Sequence, residues 1–390
     1  MYKQMQIIIM KILLIITACF FINSCHNTKT PDAASTIINI DIDARKPITA
    51  SEYFSHTDIV ELETGDESVI ADISKIMFAD EFIAIADRRG KQICLFGYDG
   101  HHIRTIRREG RGPQEYISMS TATIDPANRR FIIYDDMTEK LKFYTYEGEW
   151  DGEQSCEQLV CDMTVSNNTL YMTLHDTYSN TKDYVAMMPL TDDGKISVIY
   201  PFTAPQKTNI GLNGTTLSNC STNVLLSQRF DNNIYEIIGD KVTPKYTMNF
   251  GTFDCTDVVN NMDGEQLTET LFENNHVYGI TDMMETDRYL LFKTNIPGIV
   301  IYDKQKQHAT YCASIKVENV PISTSTTAVV ENTTDKIVSI LSAGHVLLAA
   351  ERFAQNGDAK DGTEINEQFQ RVMDNITEDS NPVIMIHHLK

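Results

Sequence analysis

The sequence predicts an all-β fold: a six-bladed β-propeller of four-stranded antiparallel blades, with two short helical insertions. Three observations predict it. A unit of two strands ending in an acidic residue and a glycine occurs twice at a fixed interval, four weaker copies follow, and strand-like segments near the two ends of the body can complete one shared sheet. Repeats of about 40–50 residues with four short strands each are typical of propellers.

The two clearest copies of the unit lie in the first half of the chain. Their first strands, Phe82–Asp87 and Phe131–Asp135, both begin with Phe-Ile, stay mostly apolar and end on Asp. Their second strands end at Asp99–Gly100 and Glu147–Gly148, and these two glycines are 48 residues apart. An acid-glycine turn after an apolar strand favours a β-hairpin, so each pair is expected to form the middle of an antiparallel sheet.

Four weaker copies continue the pattern at uneven spacing, as expected if insertions lie in the loops. Each copy pairs an apolar run with a second run that ends near an acidic residue or a glycine. The predicted strand pairs are 170–174 with 184–188, 223–226 with 233–238, 289–292 with 298–302, and 345–349 with 382–386.

Ring closure is expected to join the two ends of the propeller. Asp58–Glu63 alternates apolar and acidic residues, which is typical of a half-buried strand, and we expect it to pair beside the C-terminal strand 382–388. Closure leaves few exposed sheet edges. The alternative is two separate β-sandwiches, against which the shared acid-glycine turns argue.

Two segments have helical rather than strand-like spacing. In 263–273, Leu267 and Leu271 lie four residues apart, and in 365–376 the apolar residues follow spacings of 4, 3 and 4. Both predict short amphipathic helices inserted between strands. Their expected role is to cover apolar blade surface, and the alternative role is a lid over the channel mouth.

The N-terminus has the layout of an export signal. An apolar run spans 7–22 after Lys3, is shorter than the roughly 20 apolar residues of a bilayer span, and ends just before Cys25. Ile22, two small or polar residues and then Cys25 resemble a bacterial lipobox, so we predict a signal peptide over 1–24 and lipidation of Cys25. The alternative is an ordinary secreted chain with an incidental cysteine.

The predicted organisation therefore has three parts. A signal peptide over 1–24 is followed by the lipidated Cys25 with a polar tether over 25–54, and then by the propeller over 55–390. The acyl chains would hold the protein on a membrane.

Charge excludes one class of partner. The chain has 33 Lys and Arg against 54 Asp and Glu, a formal net charge of −21. Nucleic-acid-binding proteins normally carry a basic surface, so nucleic acid is not expected as a partner. The expected partners are a membrane, through the lipid anchor, and a glycan, a peptide or an envelope protein.

One loop concentrates the basic residues. Residues 104–116 contain four arginines and the sequence Gly-Arg-Gly-Pro-Gln-Glu-Tyr, in which Gly110 and Gly112 can adopt positive φ. Guanidinium groups at a channel mouth bind carboxylates, sulfates or acidic sugars. The predicted ligand-binding residues are Arg107, Arg108, Arg111, Glu115 and Tyr116. The alternative is that the arginines pair with acids such as Glu109, that Glu115 anchors the loop through backbone N–H groups, and that Tyr116 packs inside.

The order of strand, Asp, strand, acid-glycine hairpin and then Gly-x-Gly-Pro-x-Glu-Tyr resembles the six-bladed β-propeller lipoproteins of Bacteroidota, relatives of NHL-repeat propellers. Asn381–Ile386 is also similar to the closing strand of that family. The resemblance covers about 55–388 and departs from the family at Gln114, where a glycine is usual. It implies an outer-membrane lipoprotein, on the periplasmic face or the cell surface, and implies no activity.

Signals for catalysis are scarce. The chain has no GxSxG, HExxH or P-loop motif, and the neighbouring histidines at 101–102 and 387–388 point to opposite faces of a strand. We therefore predict no catalytic residues, no metal ligands and no cofactor. Asp87, Asp135 and Asp136 are expected to bond loop backbone.

Six cysteines of the body lack metal or redox spacing, and most are expected to be buried thiols, with a disulfide as the alternative.

The functional prediction is a membrane-anchored envelope lipoprotein, a non-catalytic binding or scaffold propeller for a glycan, peptide or protein partner. The alternative is a metal-dependent hydrolase or lyase that would hold Ca²⁺ or Zn²⁺ in the propeller channel. A third hypothesis is a sensory or assembly component of an envelope complex without a small-molecule site.

Overall fold

The computed structural model describes residues 35–175, 183–191, 194–202, 210–220, 223–325, 330–355 and 365–390. The predicted signal peptide and Cys25 lie outside the described residues. Three strands precede the first repeat: β1 Thr36–Asn39, β2 Lys46–Thr49 and β3 Phe54–Glu61.

Blades 1 to 3 are each built from one continuous segment. Their four strands follow the chain from the innermost to the outermost position, joined by antiparallel hairpins. Blade 1 contains β4 Lys75–Phe78, β5 Ile83–Asp87, β6 Gln92–Phe96 and β7 His102–Ile106; blade 2 contains β8 Thr121–Asp125, β9 Arg130–Asp135, β10 Lys140–Thr145 and β11 Trp150–Ser155; blade 3 contains β12 Leu159–Ser166, β13 Thr169–His175, β14 Asp183–Pro189 and β15 Ser197–Phe202.

Blades 4 and 5 have the same order and take an extra outer strand from the N-terminal segment. β1 pairs in parallel with the last strand of blade 4, and β2 pairs in parallel with the last strand of blade 5. Blade 4 contains β16 Leu217–Cys220, β17 Asn223–Ser227, β18 Asn233–Ile238 and β19 Lys241–Asn249; blade 5 contains β20 Ile280–Glu285, β21 Tyr289–Thr294, β22 Ile299–Asp303 and β23 His308–Lys316, with β24 Ser323–Thr324 paired to β23.

These N-terminal strands lie inside the segment predicted as a tether, 25–54. Because β1 and β2 extend two blades, the β structure of the propeller begins at Thr36 and not at the predicted position 55.

Blade 6 closes the ring with strands from both ends of the body. After β25 Val330–Glu331, which pairs in parallel with β4, the blade consists of β26 Lys336–Leu341, β27 Val383–Leu389 and β3, in that order from the inside. β27 pairs antiparallel with β3, with Val383 opposite Glu61. The predicted pairing of the 58–63 strand with the C-terminal strand is confirmed. Among the described residues blade 6 has three strands, whereas each of the other five blades has four consecutive antiparallel strands, to which β1, β2, β24 and β25 add at blades 4, 5 and 1.

Four α-helices of the described residues lie between strands of the last three blades. α1 Thr256–Asn261 and α2 Gly264–Glu273 connect blades 4 and 5, while α3 Ala343–Gln355 and α4 Glu367–Asn375 lie between β26 and β27. The helices predicted at 263–273 and 365–376 are confirmed as α2 and α4. The prediction of a strand at 345–349 is wrong, because those residues form part of α3 and the inner partner of β27 is β26.

The sheets pack face to face around an axis. Six clusters of buried apolar side chains each lie between two neighbouring blades, and the last of them joins blade 6 to blade 1. A complete circle of interfaces confirms the predicted six-bladed β-propeller, because stacked sandwiches would leave outer faces uncovered.

Candidate functional site

The arginine loop, residues 104–116, connects blade 1 to blade 2. The Arg107 guanidinium donates to Glu109 Oε2 at 3.3 Å, and Lys91 Nζ donates to Glu109 Oε1 at 2.6 Å. Hydrogen bonds from Lys91 and Arg107 hold the pKa of the Glu109 carboxyl below its usual range. Arg108 Nε donates to the Gly148 carbonyl at 3.0 Å. Two of the three predicted ligand-binding arginines are therefore engaged within the protein.

Arg111 and Tyr116, two further residues that were predicted to bind a ligand, differ in exposure. Arg111 is exposed, and its guanidinium has no hydrogen bond or ion pair with the described residues. Tyr116 is fully buried, and its hydroxyl donates to the Lys91 carbonyl at 2.7 Å. Tyr116 thus packs inside the loop, and ligand binding by Arg107, Arg108 and Arg111 stays a prediction.

Glu115 holds the turn of the loop closed. Its Oε2 accepts the Gly112 N–H at 2.7 Å, as the alternative interpretation expected. Gly110 and Gly112 do not have positive φ, contrary to the expectation. What Gly110 provides is room, because a Cβ there would lie 1.9 Å from Glu115 Oε2.

The aspartates that end β5 and β9 have a structural role. Asp135 is buried and accepts the N–H groups of Ile117 and Ser118 at 3.0 and 3.1 Å. Asp87 is also buried and accepts the N–H groups of Ala71 and Gly90 at 2.8 and 2.7 Å. Both bond loop backbone, as predicted.

A cluster of three buried charged side chains, which we name the axial cluster, fills the centre of the ring. It consists of Lys75 on β4, Asp162 on β12 and Glu331 on β25. Lys75 Nζ lies 3.5 Å from Asp162 Oδ1 and 3.7 Å from Glu331 Oε2. Each residue is at most 6% exposed. The cluster therefore occupies the position where an open propeller would have a channel.

Hydrogen bonds tie the axial cluster to several blades. Asp162 Oδ2 accepts the N–H groups of Thr216 and Leu217 in blade 4, at 2.8 and 3.0 Å. Glu331 Oε1 accepts the hydroxyl of Thr123 in blade 2 at 2.8 Å. Because the cluster itself spans blades 1 and 3 and the strand before blade 6, it links most of the ring.

The charges of the axial cluster do not balance. Burial raises the pKa of both Asp162 and Glu331, against the opposing attraction of Lys75. Burial would lower the pKa of Lys75, but the two carboxylates outweigh it and raise that pKa. One ammonium group faces two carboxyl groups, so Lys75 is held charged while each carboxyl group has an increased tendency to bind a proton.

A pocket of about 280 Å³ lies at one mouth of the axis, and we name it the mouth pocket. Residues in or next to the innermost strands of blades 1, 4 and 6 line this pocket. Phe78 lies three residues beyond Lys75 on β4, so the backbone of Lys75 is about 10 Å from that of Phe78 along the strand. The lining residues that offer polar groups are Asp80, Tyr98, Asn219, Asn332, Thr333, Thr334, Asp335 and Lys336.

Several of these groups already have partners. The Tyr98 hydroxyl donates to the Ala79 carbonyl at 2.7 Å, and Lys336 Nζ donates to Asp335 Oδ1 at 2.8 Å. Burial would raise the pKa of Asp335, but Lys336 and Thr333 hold it below its usual range. Asn219 Nδ2 donates to a backbone carbonyl, whereas its Oδ1 is buried without a hydrogen-bond partner among the described residues. The pocket therefore offers carboxylate, ammonium, amide and phenol groups to a polar ligand.

Four buried cysteines of the described body are unlike catalytic thiols. Burial raises the pKa of Cys94 and Cys156 to about 11, and that of Cys255 and Cys312 to about 12. These four cysteines form no disulfide with one another. At neutral pH they are protonated, and a protonated thiol is a poor nucleophile.

Sequence reasoning missed the residues that fill the axis and one group that can hold a metal. The axial residues come from three distant parts of the chain, and no local motif marks them. The metal-capable group consists of His56, Asp58 and His388. Its signal was present: once the 58–63 strand is paired with the C-terminal strand, the register brings His56 opposite His388.

Comparisons with known proteins agree with this architecture. A family described as a domain of unknown function (DUF4934) matches residues 35–388. A Bacteroides fragilis protein whose description calls it exported has a similar crystal structure, with a TM-score of 0.67 and 16% identity over 92% of this chain and 100% of that chain. A DUF4221 member from Bacteroides vulgatus has a TM-score of 0.51 and 8% identity over 86% of this chain and 97% of that chain. No curated protein matches the sequence.

The described residues contain no helix with both the length and the apolar character needed to cross a membrane.

Proposed function

The chain belongs to the DUF4934 family, whose match spans the propeller from residue 35 to residue 388, and on that premise we propose that it is an exported, lipid-anchored, non-catalytic propeller that binds a partner in the bacterial envelope. The axial cluster is the observation that carries the non-catalytic part of this proposal. The similar Bacteroides fragilis protein is described as exported, which supports the envelope location.

Lys75 argues against chemistry inside the ring. Asp162 and Glu331 do converge there, as the metal-dependent alternative requires, but Lys75 Nζ lies within 3.7 Å of both carboxyl groups. An ammonium group in that position attracts both carboxylates electrostatically and repels a cation, and the burial of the cluster leaves a substrate no route to them. We therefore favour binding at the surface over hydrolysis or elimination in the channel.

The mouth pocket is the proposed binding surface. It joins acidic groups at Asp80 and Asp335 to one cation and to amide groups, and Tyr98 is 44% exposed beside them. Paired donors and acceptors around an exposed aromatic ring suit a polar chain, either a glycan or a peptide, better than an apolar small molecule.

The binding proposal can be tested by charge reversal at the mouth. The full-length protein in detergent would be presented to glycan and peptide libraries and to cross-linking in envelope extracts. Asp80→Lys should abolish the captured interaction, and Glu157→Lys, an exposed acid after blade 2, is the matched control that should preserve it. Binding that is unchanged in Asp80→Lys, or turnover of a bound ligand, would refute the proposal.

The anchor is tested separately through Cys25. Cys25→Ser should abolish incorporation of labelled palmitate and move the protein from the membrane fraction to the soluble fraction. Cys161→Ser, a change at an exposed cysteine of blade 3, should leave both unchanged. Membrane association that persists without labelling in Cys25→Ser would contradict lipid anchoring while leaving the binding proposal intact.

A further inference from the structure

Two histidines and an aspartate meet on the face of blade 6 that is turned toward blade 1. His56 and Asp58 are two residues apart on β3 and therefore project from the same face of the strand. His388 on β27 is directly opposite His56, and Ile386 is opposite Asp58. Backbone hydrogen bonds between the two strands thus fix the positions from which the three side chains extend.

The ligand atoms of these side chains lie close together. His388 Nε2 is 2.9 Å from Asp58 Oδ2, His56 Nε2 is 3.9 Å from the same oxygen, and all three ligand atoms lie within 4.8 Å of one another. A tetrahedral ion with ligand distances near 2.1 Å requires its ligand atoms to be about 3.4 Å apart. The observed separations bracket that value, so small side-chain rotations are sufficient.

A neighbouring hydroxyl supports the histidine that is most exposed. Ser55 Oγ lies 3.1 Å from His56 Nδ1, which engages that nitrogen and leaves Nε2 for the group's interior. Such a hydrogen bond to the distal nitrogen is the usual partner of a metal-bound histidine. The two imidazole rings are stacked with centroids 4.0 Å apart, so both rings are already held side by side.

We propose that His56, Asp58 and His388 bind one divalent transition-metal ion, with Zn²⁺ as the best fit. Two imidazoles and one carboxylate are ligands that suit zinc, whereas Ca²⁺ and Mg²⁺ require more oxygen atoms than this group offers. Three protein ligands leave a fourth position for water or a ligand. The side chain of His56 is 58% exposed and that of Asp58 is 43% exposed, so an ion can reach the site from solvent.

The ion would join the two ends of the propeller body. β3 precedes the strands of blade 1 in the chain, and β27 is the last strand of the described body. A bond from each strand to one metal therefore cross-links the closing blade. Asp58 also lines a groove of about 360 Å³ between β3 and α4, with Arg371 and Gln368 on the other side. A metal at its edge would add a coordination position to a groove that is open to solvent.

Metal binding is tested directly with the full-length, chelator-treated protein in detergent. Calorimetric titration with Zn²⁺ should give one ion per chain with a dissociation constant in the micromolar range or below, and Co²⁺ should give the visible absorption of a four-coordinate site. Zn²⁺ at 100 times the dissociation constant should raise the melting temperature by about 2–4 °C.

Variants distinguish metal binding at this site from metal binding at other histidines. His56→Ala, Asp58→Asn and His388→Asn should each weaken Zn²⁺ binding at least 10-fold and remove the thermal shift. His101→Ala is the matched control, since it removes an exposed histidine that lies 2.7 Å from a carboxylate oxygen of Asp99. His56→Ala changes an exposed side chain, so circular dichroism should show a folded protein. Absence of stoichiometric binding in the wild type, or unchanged affinity in His56→Ala, would overturn the proposal.

Discussion

Blade 2 and blade 6 occupy equivalent places in the ring but are assembled in different ways. The four strands of blade 2 run without interruption from Thr121 to Ser155, and each pairs with its neighbour in sequence. Blade 6 combines β26 and β27, which are separated by α3 and α4, with β3 from the start of the body. Blade 2 therefore depends on local contacts, and blade 6 depends on contacts between distant segments.

Side chains compensate for the missing continuity of blade 6. His387 is fully buried, and its two ring nitrogens lie 2.9 Å from Thr57 on β3 and 2.9 Å from Ser339 on β26. Burial lowers the pKa of His387 to about 3, so the ring is neutral and bridges all three strands. Asn381 adds side-chain hydrogen bonds to the carbonyls of Glu63 and Ser68. Closing such long loops costs conformational entropy, so we expect blade 6 to form last.

The axial cluster joins the contiguous blades 1 and 3 to the strand that precedes blade 6. Its disruption should cause the largest decrease in the free energy of unfolding. Lys75→Met would leave Asp162 and Glu331 buried and facing each other, and should lower the free energy of unfolding by about 3–5 kcal/mol. Urea denaturation measures the loss. Lys91→Met, which removes an exposed ion pair to Glu109, is the control and should cost less than about 1 kcal/mol.

A second change at the axis distinguishes charge from packing. Lys75→Met combined with Glu331→Gln should recover part of the lost stability, because one uncompensated carboxyl group is removed. If the double variant is as unstable as Lys75→Met, the cluster acts through packing alone, and its role as an ionic link between blades is wrong.

The next largest decrease in the free energy of unfolding is expected when one buried phenylalanine is removed from each region. Phe369 on α4 packs into the core between blades 5 and 6, and Phe131 on β9 packs between blades 1 and 2. Each change to alanine should cost about 3 kcal/mol. Hydrogen exchange should separate them: Phe369→Ala should accelerate exchange first in β26 and β27, whereas Phe131→Ala should accelerate exchange across several blades. Equal patterns in both variants would show that blade 6 is no less cooperative than blade 2.

The same contrast explains which blades could be predicted from the sequence. Blades 1 and 2 carry their pairing information locally, in strands such as Phe131–Asp135 and in turns such as Glu147–Gly148. Gly148 has a φ of 79°, a conformation that glycine adopts without strain, so the turn residue itself marks the hairpin. The outer pairing of blade 6 was also predictable, because 58–63 alternates in polarity.

The inner strand of blade 6 was misassigned for a physical reason. His345–Ala349 is a short apolar run, and such a run is compatible with either a strand or a buried helix. The true strand, Lys336–Leu341, contains the β-branched residues Ile337, Val338 and Ile340, which favour a strand. Composition, rather than apolar character alone, distinguishes the two segments.

The candidate sites were less predictable than the fold. The arginine loop is visible in the sequence because its residues are consecutive, and so is the role of Glu115 in the turn. Lys75, Asp162 and Glu331 become neighbours only when blades 1 and 3 and the strand before blade 6 surround the axis. No spacing in the sequence encodes that meeting.

A smaller decrease in the free energy of unfolding is expected when a loop contact of blade 2 is removed. Burial alone would raise the pKa of Asp135, but hydrogen bonds from Ser118, Ile117 and Thr138 outweigh it and hold that pKa below its usual range. Asp135→Asn should lower the free energy of unfolding by about 1–2 kcal/mol at pH 7.

The pH dependence of that loss tests its cause. The carboxylate contributes stability above the unfolded-state pKa of about 3.9, and this contribution disappears as the pH falls through the lower folded-state pKa. The stability difference between wild type and Asp135→Asn should therefore stay constant from pH 7 to about pH 4 and shrink steadily below it, as measured by urea denaturation between pH 7 and pH 3. A difference that stays constant with pH would assign the loss to packing.

The smallest effect is expected at the arginine loop between the two contiguous blades. Arg107 is exposed and its ion pair with Glu109 is 3.3 Å long, so Arg107→Ala should change the free energy of unfolding by less than about 1 kcal/mol.

Because folding is hardly affected, this variant can be used to measure the contribution of Arg107 to ligand binding alone. If the loop binds anionic ligands, Arg107→Ala combined with Arg111→Ala should weaken binding of a sulfated polysaccharide such as heparin several-fold, while Arg371→Ala on α4 should not. Equal weakening by both would show that net charge, and not the loop, sets the affinity, since all three arginines are exposed on different parts of the same acidic surface.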